Sequence, residues 1–319
     1  MNIFELPGRI GLAPMAGVTD FPFRRICFEF GAEFAFTEMI SAKSVLMNLE
    51  INQQYLPRSE EKGKVIIQLF GSDPYEIAEA ARMVEDQGLW VDLNAGCPVA
   101  KVVKRGAGSG LLRDLEHFRK VVRALRGAVK RCSVKTRLGW DKDEFEKIYS
   151  ILVEEGVDVI FVHGRTAKQM YSGKAKWRIY NPGIVPLYIS GDLYTVEDIK
   201  TALEESGATG AIVARGAIGN PWIFSGDRAP EPMERLVIIK RHLDYLHQEY
   251  GDYGAVVFRK FVAGYTKGLP HAREFREKVM KLRTVEEVKN EFEAYFRNFS
   301  NQATRFLDTG GMYDENIPG

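Results

Sequence analysis

Val65-Ile66-Ile67-Gln68-Leu69-Phe70, then Pro74 to Gln87, then Leu89-Trp90-Val91-Asp92-Leu93-Asn94 follow one another in the chain, and their reading decides the fold. The first and last are apolar runs of strand length. Between them Ile77, Ala78, Ala81 and Val84 recur at helical spacing, opened by Asp73 before Pro74 and closed by Gly88. Strand, helix and strand with short links form a parallel crossover unit. The alternation extends both ways. Strand-like runs recur at Arg9 to Met15, Glu33 to Ile40, Ser133 to Leu138, Val157 to His163, Pro186 to Ser190 and Gly210 to Ala214. Helical spacing recurs at Leu115 to Val129, Asp143 to Glu155 and Val196 to Ser206. Eight strand–helix units before Phe224 predict a parallel (β/α)8 TIM barrel, with an open doubly wound sheet as the alternative.

Beyond Pro221-Trp222-Ile223-Phe224 the pattern changes. Pro230 and Pro232 interrupt the chain, and Met233 to Tyr250, Ala255 to Thr266, Ala272 to Leu282 and Val285 to Phe299 read as helices with no further strand. The expected organisation is a barrel over 1–228, a small all-helical C-terminal domain over 229–300, and a tail over 301–319.

The chain has 319 residues, 45% hydrophobic and 27% charged, with a formal net charge of +1. That is the composition of a soluble globular protein. Near-neutrality excludes a generally basic protein wrapped in nucleic acid and leaves room only for a local basic patch. Cys27, Cys97 and Cys132 lie far apart, with no CxxC pair and no metal-ligand spacing, so they read as reduced thiols of a cytoplasmic protein without a metal site. Met1 to Pro7 has no basic segment followed by an apolar run, and no apolar stretch reaches membrane length, which argues against secretion and membrane insertion.

In a barrel of this type, active sites collect at the carboxyl ends of the strands. There the sequence places Pro14, Met15 and Ala16 after the first strand, Glu38 after the second, Gln68 in the third, and Asn94 and Cys97 after the fourth. Lys135 and Arg137 lie in the fifth, His163 and Arg165 end the sixth, Ser190-Gly191-Asp192 end the seventh and Ala214-Arg215-Gly216 the eighth. The glycines after strands seven and eight allow backbone N–H groups to close on a phosphate with a helix N-terminus behind them, and Arg215 can add charge. Each glycine is also what a plain turn would need. Lys135 alternates with Val134 and Thr136, so it points either inward, where it needs an anionic or electron-rich partner, or outward to solvent. No GxGxxG follows a strand, so a separate Rossmann domain has no support.

Together these pieces resemble the tRNA-dihydrouridine synthase family, FMN-dependent enzymes that reduce uridine in tRNA. The resemblance rests on Ala13-Pro14-Met15-Ala16-Gly17-Val18-Thr19-Asp20, Thr37-Glu38-Met39, Gln68 and Asn94-Ala95-Gly96-Cys97-Pro98 with Gly106-Ala107-Gly108. It continues through Lys135-Thr136-Arg137-Leu138-Gly139, His163-Gly164-Arg165-Thr166 and Ala214-Arg215-Gly216 with Gly219-Asn220-Pro221-Trp222. Ser190 stands where the family pattern has asparagine, Ala95 replaces a commoner methionine or aromatic, and Phe261 and Gly264 depart from the pattern of the helical domain.

The resemblance implies that Pro14, Met15, Ala16, Gln68, Lys135, His163, Ser190, Gly191, Asp192, Ala214, Arg215 and Gly216 hold FMN. It implies that Asn94 and Arg165 meet the base, with Arg137 and Lys101 also on the substrate side, and that Cys97 protonates C5 after hydride reaches C6. NADPH is the expected external reductant and tRNA the expected partner, recruited by the helical domain. Lys101, Lys104 and Arg105 follow Cys97 in a Gly-rich segment able to act as a lid. Two rival readings are a dihydroorotate-dehydrogenase-like enzyme acting on a free pyrimidine and a non-catalytic RNA-binding flavoprotein.

Overall fold

A computed structural model describes residues 8–226 and 230–308. Met1 to Pro7, the expected boundary at 228/229 and the part of the tail over 309–319 lie outside the described residues. The chain divides into two compact units, residues 1–217 with 221–227 and residues 218–220 with 228–319.

The first unit holds eight parallel strands: β1 (Ile10–Leu12), β2 (Phe34–Phe36), β3 (Val65–Phe70), β4 (Val91–Ala95), β5 (Cys132–Arg137), β6 (Val159–His163), β7 (Leu187–Ser190) and β8 (Gly210–Val213). Neighbours in sequence pair throughout, and β8 returns to β1 through Gly11 opposite Ile212, while β2 meets β3 through Ala35 opposite Val65. The ring is closed, which removes the open-sheet alternative. A two-residue stretch, Ile40–Ser41, adds a further pairing on β3.

Local chemistry sets the helix starts. Asp20, Asp73 and Asp114 each accept from the first free N–H groups of Phe21–Glu29, Pro74–Val84 and Leu115–Ala128. Thr195 and Asp198 form a reciprocal capping box on Val196–Ser206, which ends at Gly207 in the left-handed conformation. The expectation of eight full strand–helix units needs correction at two connections. Residues 164–186 form turns and bends with no helix, and only short 3-10 turns, Arg215–Ala217 and Pro221–Phe224, follow β8 within this unit. Gly173, Pro182, Gly183 and Pro186 interrupt the first of these segments.

Strand alternation then sorts the barrel interior by height. Its floor is aromatic: Phe34 and Tyr188 meet edge-on at 5.4 Å between ring centres, Phe36 and Phe161 at 4.9 Å, and Trp90 and Ile212 belong to the same buried cluster. Two residues further along the same strands the side chains turn polar: Gln68 after Ile66, Asp92 and Asn94 after Trp90, Lys135 after Ser133, His163 after Phe161, and Ser190 after Tyr188. The mouth is thus a polar layer on a buried aromatic plug.

The second unit is all-helical: Pro232–Tyr250, Gly254–Tyr265, Ala272–Val279 and Val285–Asp308. Phe275 stacks on Tyr295 at 4.0 Å and meets Phe292 edge-on at 4.7 Å, while His242 lies buried beside Phe258 and Phe261. The last helix runs to Asp308, so the segment expected as tail from 301 begins inside it.

Candidate active site

The registers of β3 to β7 bring the polar residues into one belt: Gln68 opposite Asp92, Asn94 opposite Lys135, Arg137 opposite His163, and His163 opposite Ser190. Parallel pairing holds these side chains at nearly one height, so residues scattered over more than half the barrel sequence share a cup.

On one side stands the Cys97 loop. Asn94 Oδ1 accepts from the N–H groups of Gly96 at 3.1 Å and Cys97 at 2.9 Å, and the Cys97 carbonyl accepts from the N–H and hydroxyl of Ser109, each at 3.0 Å. Gly108 lies beneath with a positive φ, and a Cβ there would stand 2.8 Å from the Cys97 carbonyl oxygen, so the close approach requires glycine. Arg137 Nε donates to the Gly96 carbonyl at 2.8 Å. Cys97 itself is half-buried, with its backbone fixed at both ends.

Beside this loop Lys135, in register with Asn94 on the neighbouring strand, points inward, which settles the alternative left by the sequence. Its ammonium forms no hydrogen bond or ion pair with any described residue, and burial, together with the charge of Arg137, lowers it to about 8 against the pull of Asp92 and Cys97. His163 is held neutral: burial first, then the charges of Arg137, Lys135, Arg165 and Arg215, push it down to about 2. Arg165 lies 3.3 Å from its Nε2 and can only donate, so Nε2 accepts and Nδ1 carries the proton.

The third side is a brace. Arg165 is 2% exposed and donates to Asp192, to the Gly173 carbonyl at 2.6 Å and to the Ser172 carbonyl at 3.2 Å. Asp192 also accepts from Ala175 N–H at 2.8 Å and from Arg215 at 3.3 Å. Burial raises its carboxyl, but these donors outweigh that and hold it below the usual range. Both Asp192 and Met170 adopt positive φ. Gly191 must be glycine, since a Cβ would stand 2.5 Å from the His163 ring. Arg215 is 40% exposed and lies over Tyr171 with 4.4 Å between guanidinium and ring centre.

Of the residues expected at the site, Gln68, Asn94, Cys97, Lys135, Arg137, His163, Arg165, Ser190, Gly191, Asp192 and Arg215 belong to this cup or its rim. Pro14 and Met15 are half-buried, and Ala16 is exposed, in the turn after β1, where Glu38 accepts from Gly17 N–H. Ala214 and Gly216 flank Arg215. Lys101 lies exposed on the short helix Ala100–Val103. Arg137 donates to the carbonyls of Gly96, Thr166 and Met170, and Arg165 to those of Ser172 and Gly173 and to Asp192, so both brace the loops at the rim. At the helix after β7 the Thr195 hydroxyl accepts from the Asp198 N–H, while the Asp198 carboxylate accepts from the N–H groups of Tyr194 and Thr195 ahead of the helix, and β8 leads into a 3-10 turn beside Arg215.

Sequence reasoning missed Asp92 and Ser133. Asp92 is fully buried and accepts from Gln68 Nε2 at 2.8 Å and from the Ser133 hydroxyl, which itself accepts from Trp90 Nε1 at 2.9 Å. The signal was the two-residue period that puts Asp92 on the face of Asn94. Tyr171, 53% exposed on the irregular segment after β6, had no such signal.

An anionic planar group with a phosphate fits this donor set. Among the described residues the cup presents Lys135 without a hydrogen-bonded partner, a neutral histidine whose Nδ1–H has no acceptor, a side-chain amide and, at the rim, a glycine-lined turn beside Arg215.

The family model for dihydrouridine synthase matches residues 11–300. A probable tRNA-dihydrouridine synthase of Rickettsia prowazekii is 36% identical over 312 residues, covering 92% of this chain and 95% of that protein. The tRNA-dihydrouridine synthase B of Pseudomonas aeruginosa is 34% identical over 324 residues, covering 94% and 96%. That of Pasteurella multocida is 33% identical over 293 residues, covering 86% and 88%.

Proposed function

The chain belongs to the dihydrouridine synthase family, and from that premise we propose that its barrel mouth reduces uridine in tRNA with Cys97 as the proton donor. The enzyme is an FMN-dependent oxidoreductase that forms 5,6-dihydrouridine. The observation that carries the residue assignment is the placement of a half-buried thiol, on a loop anchored at both ends, beside a half-buried inward lysine that has no hydrogen-bonded partner among the described residues.

Bound FMN supplies the hydride that C6 of the uracil ring requires, which no side chain can provide. The chain's own groups do the rest. Gln68, Lys135 and His163 hold the ring system, and Ser190 to Asp192 with Ala214 to Gly216 hold the phosphate, while Pro14 to Ala16 line the turn beside them. Addition at C6 pushes charge onto C5 and the C4 carbonyl, and Cys97 delivers a proton to C5. Asn94, whose Oδ1 is taken by the loop and whose Nδ2 donates to Gln68 Oε1 and weakly to Met39 Sδ, meets the base by giving up the long contact to sulfur. Arg137 and Arg165 keep the loops around it in place, and Lys101 meets tRNA phosphate outside the cup. NADPH is the external reductant, and the helical unit recruits tRNA. Cys27 and Cys132, both buried and unbonded, suit a reducing cytoplasm.

The test is a visible spectrum of the purified protein: yellow as isolated, bleached by NADPH without oxygen, and restored by tRNA lacking dihydrouridine but not by orotate. Restoration by orotate, or none by tRNA, refutes the reading.

A further inference from the structure

A donor-to-acceptor chain runs through the floor of the cup. The N–H groups of Gly96 and Cys97 donate to Asn94 Oδ1, Asn94 Nδ2 donates to Gln68 Oε1 at 2.8 Å, and Gln68 Nε2 donates to Asp92 Oδ2. The ends have fixed character. Backbone N–H groups only donate, and an ionised carboxylate only accepts, so the two amides between them have one arrangement in which every bond is made. Reversing either amide sets donor against donor at one end or acceptor against acceptor at the other.

We propose that Asp92 is a positioning residue: as terminal acceptor it fixes the orientation of Gln68 and Asn94, and through them the backbone that carries Cys97. The significance of that backbone for the reaction rests on the assignment of Cys97 as acid, whereas the chain of hydrogen bonds itself does not. Asp92 is 0% exposed and makes no ion pair within salt-bridge distance among the described residues, although Lys135 stands near enough to favour its charged form. Its other oxygen is occupied by Ser133, whose hydroxyl is fixed in turn by Trp90, so the carboxylate cannot swing away from Gln68. Burial pushes this carboxyl up to about 7 against the Ser133 and Gln68 hydrogen bonds and the Lys135 charge. At pH 8 it is mostly ionised.

The test is a cycle. Gln68→Met removes both the acceptor that Asn94 uses and the donor that Asp92 uses. Asp92→Asn either sets donor against donor at Gln68 or, with its amide turned, leaves the Ser133 hydroxyl without an acceptor. If Asp92 acts through Gln68, Asp92→Asn adds nothing once Gln68→Met has cut the chain. The readouts are hydrogen exchange of the Gly96 and Cys97 amides in selectively 15N-labelled protein, and the single-turnover rate of uridine reduction by enzyme reduced in advance, both at pH 8.

The expected pattern is that each single variant speeds amide exchange and slows reduction by about tenfold, the effect of one broken hydrogen bond, and that the double variant is no worse than Gln68→Met alone. Losses that combine additively, or an Asp92→Asn variant whose Gly96 and Cys97 amides exchange at the parental rate, overturn the proposal. The same coupling in amide exchange with reduction rates unmoved in all three variants supports the chain and refutes Cys97 as the acid.

Discussion

Replacing Cys97 by alanine separates the chemistry from everything that supports it. The loop is held by backbone groups: the Cys97 N–H on Asn94, the Cys97 carbonyl on Ser109 and the Gly96 carbonyl on Arg137. None of these uses the thiol. Loss of a half-buried sulfur should therefore cost about 1 kcal/mol of stability or less, and FMN content and the rate of flavin reduction by NADPH should match the parent. Uridine reduction should fall about 10²–10⁴-fold, the usual contribution of a general acid, which corresponds to about 3–5 kcal/mol in the barrier. The assay mixes anaerobic, fully reduced enzyme with tRNA lacking dihydrouridine and follows the return of flavin absorbance in one turnover. Serine should be partly active, because a hydroxyl occupies the same place as a much weaker acid. An alanine variant that reoxidises at the parental rate with tRNA refutes the assignment, and one that loses flavin refutes the backbone account of the loop.

Four further outcomes are expected. Arg215→Ala should weaken FMN binding about tenfold in a fluorescence titration, the worth of one charge-assisted hydrogen bond, and unchanged affinity would place the phosphate elsewhere. Because the Lys135 ammonium is lowered to about 8, FMN affinity should decline as pH rises through about 8. Lys135→Met should bind more weakly and lose that dependence, and an identical profile would mean that Lys135 does not meet the cofactor. The folded value of His163 lies near 2 and its ordinary value near 6.5, so the unfolded chain takes up a proton that the folded chain refuses. Its contribution to flavin-free stability is complete above about pH 6.5 and is lost at up to about 1.4 kcal/mol per unit below it. Urea melts of His163→Gln should show a shallower fall from pH 7 to 5. In the helical unit, Arg259 donates to the Leu282 carbonyl and Arg276 to Thr266, so their removal would confound folding with binding. Lys267, Arg273 and Lys278 are exposed; reversing all three to glutamate should weaken tRNA binding and flatten its salt dependence by about 0.7–0.9 for each phosphate no longer neutralised, while NADPH oxidation continues.

The strands are legible because each combines an apolar run with punctuation on both sides: Val65–Phe70 reads to its observed ends, and the helices at 74 and 115 start where Asp73 and Asp114 promise a cap. The count of eight favours closure but leaves the open sheet possible, and the pairing of β8 with β1 decides it. The segment over 164–186 breaks the repeat because its order comes from tertiary bonds, Arg165 to two of its carbonyls and Asp192 to Ala175, and a pattern of local residue types cannot announce those. The same limit explains Arg137 and Arg165. Guanidinium groups at strand ends resemble substrate ligands, and the difference between a ligand and a loop brace lies in carbonyls up to 33 residues away.

Asp92 shows a deeper version of the limit. The two-residue period puts Trp90, Asp92 and Asn94 on one face, so a buried acid beside the cup is deducible from the strand alone. What is not deducible is which end of Gln68 or Asn94 faces which neighbour, because an amide is nearly symmetric in shape and opposite in chemistry at its two ends. The choice is made by the termini of the hydrogen-bond chain, a carboxylate on β4 and two backbone N–H groups in the loop that follows, and it exists only once β3, β4 and β5 stand in register. A strand slip of one residue would leave the sequence pattern intact and turn every one of these groups out of the barrel. The buried polar layer therefore ties the reactive loop to barrel register. Ser133, whose hydroxyl donates to Asp92, belongs to the active site's support as much as Asn94 does.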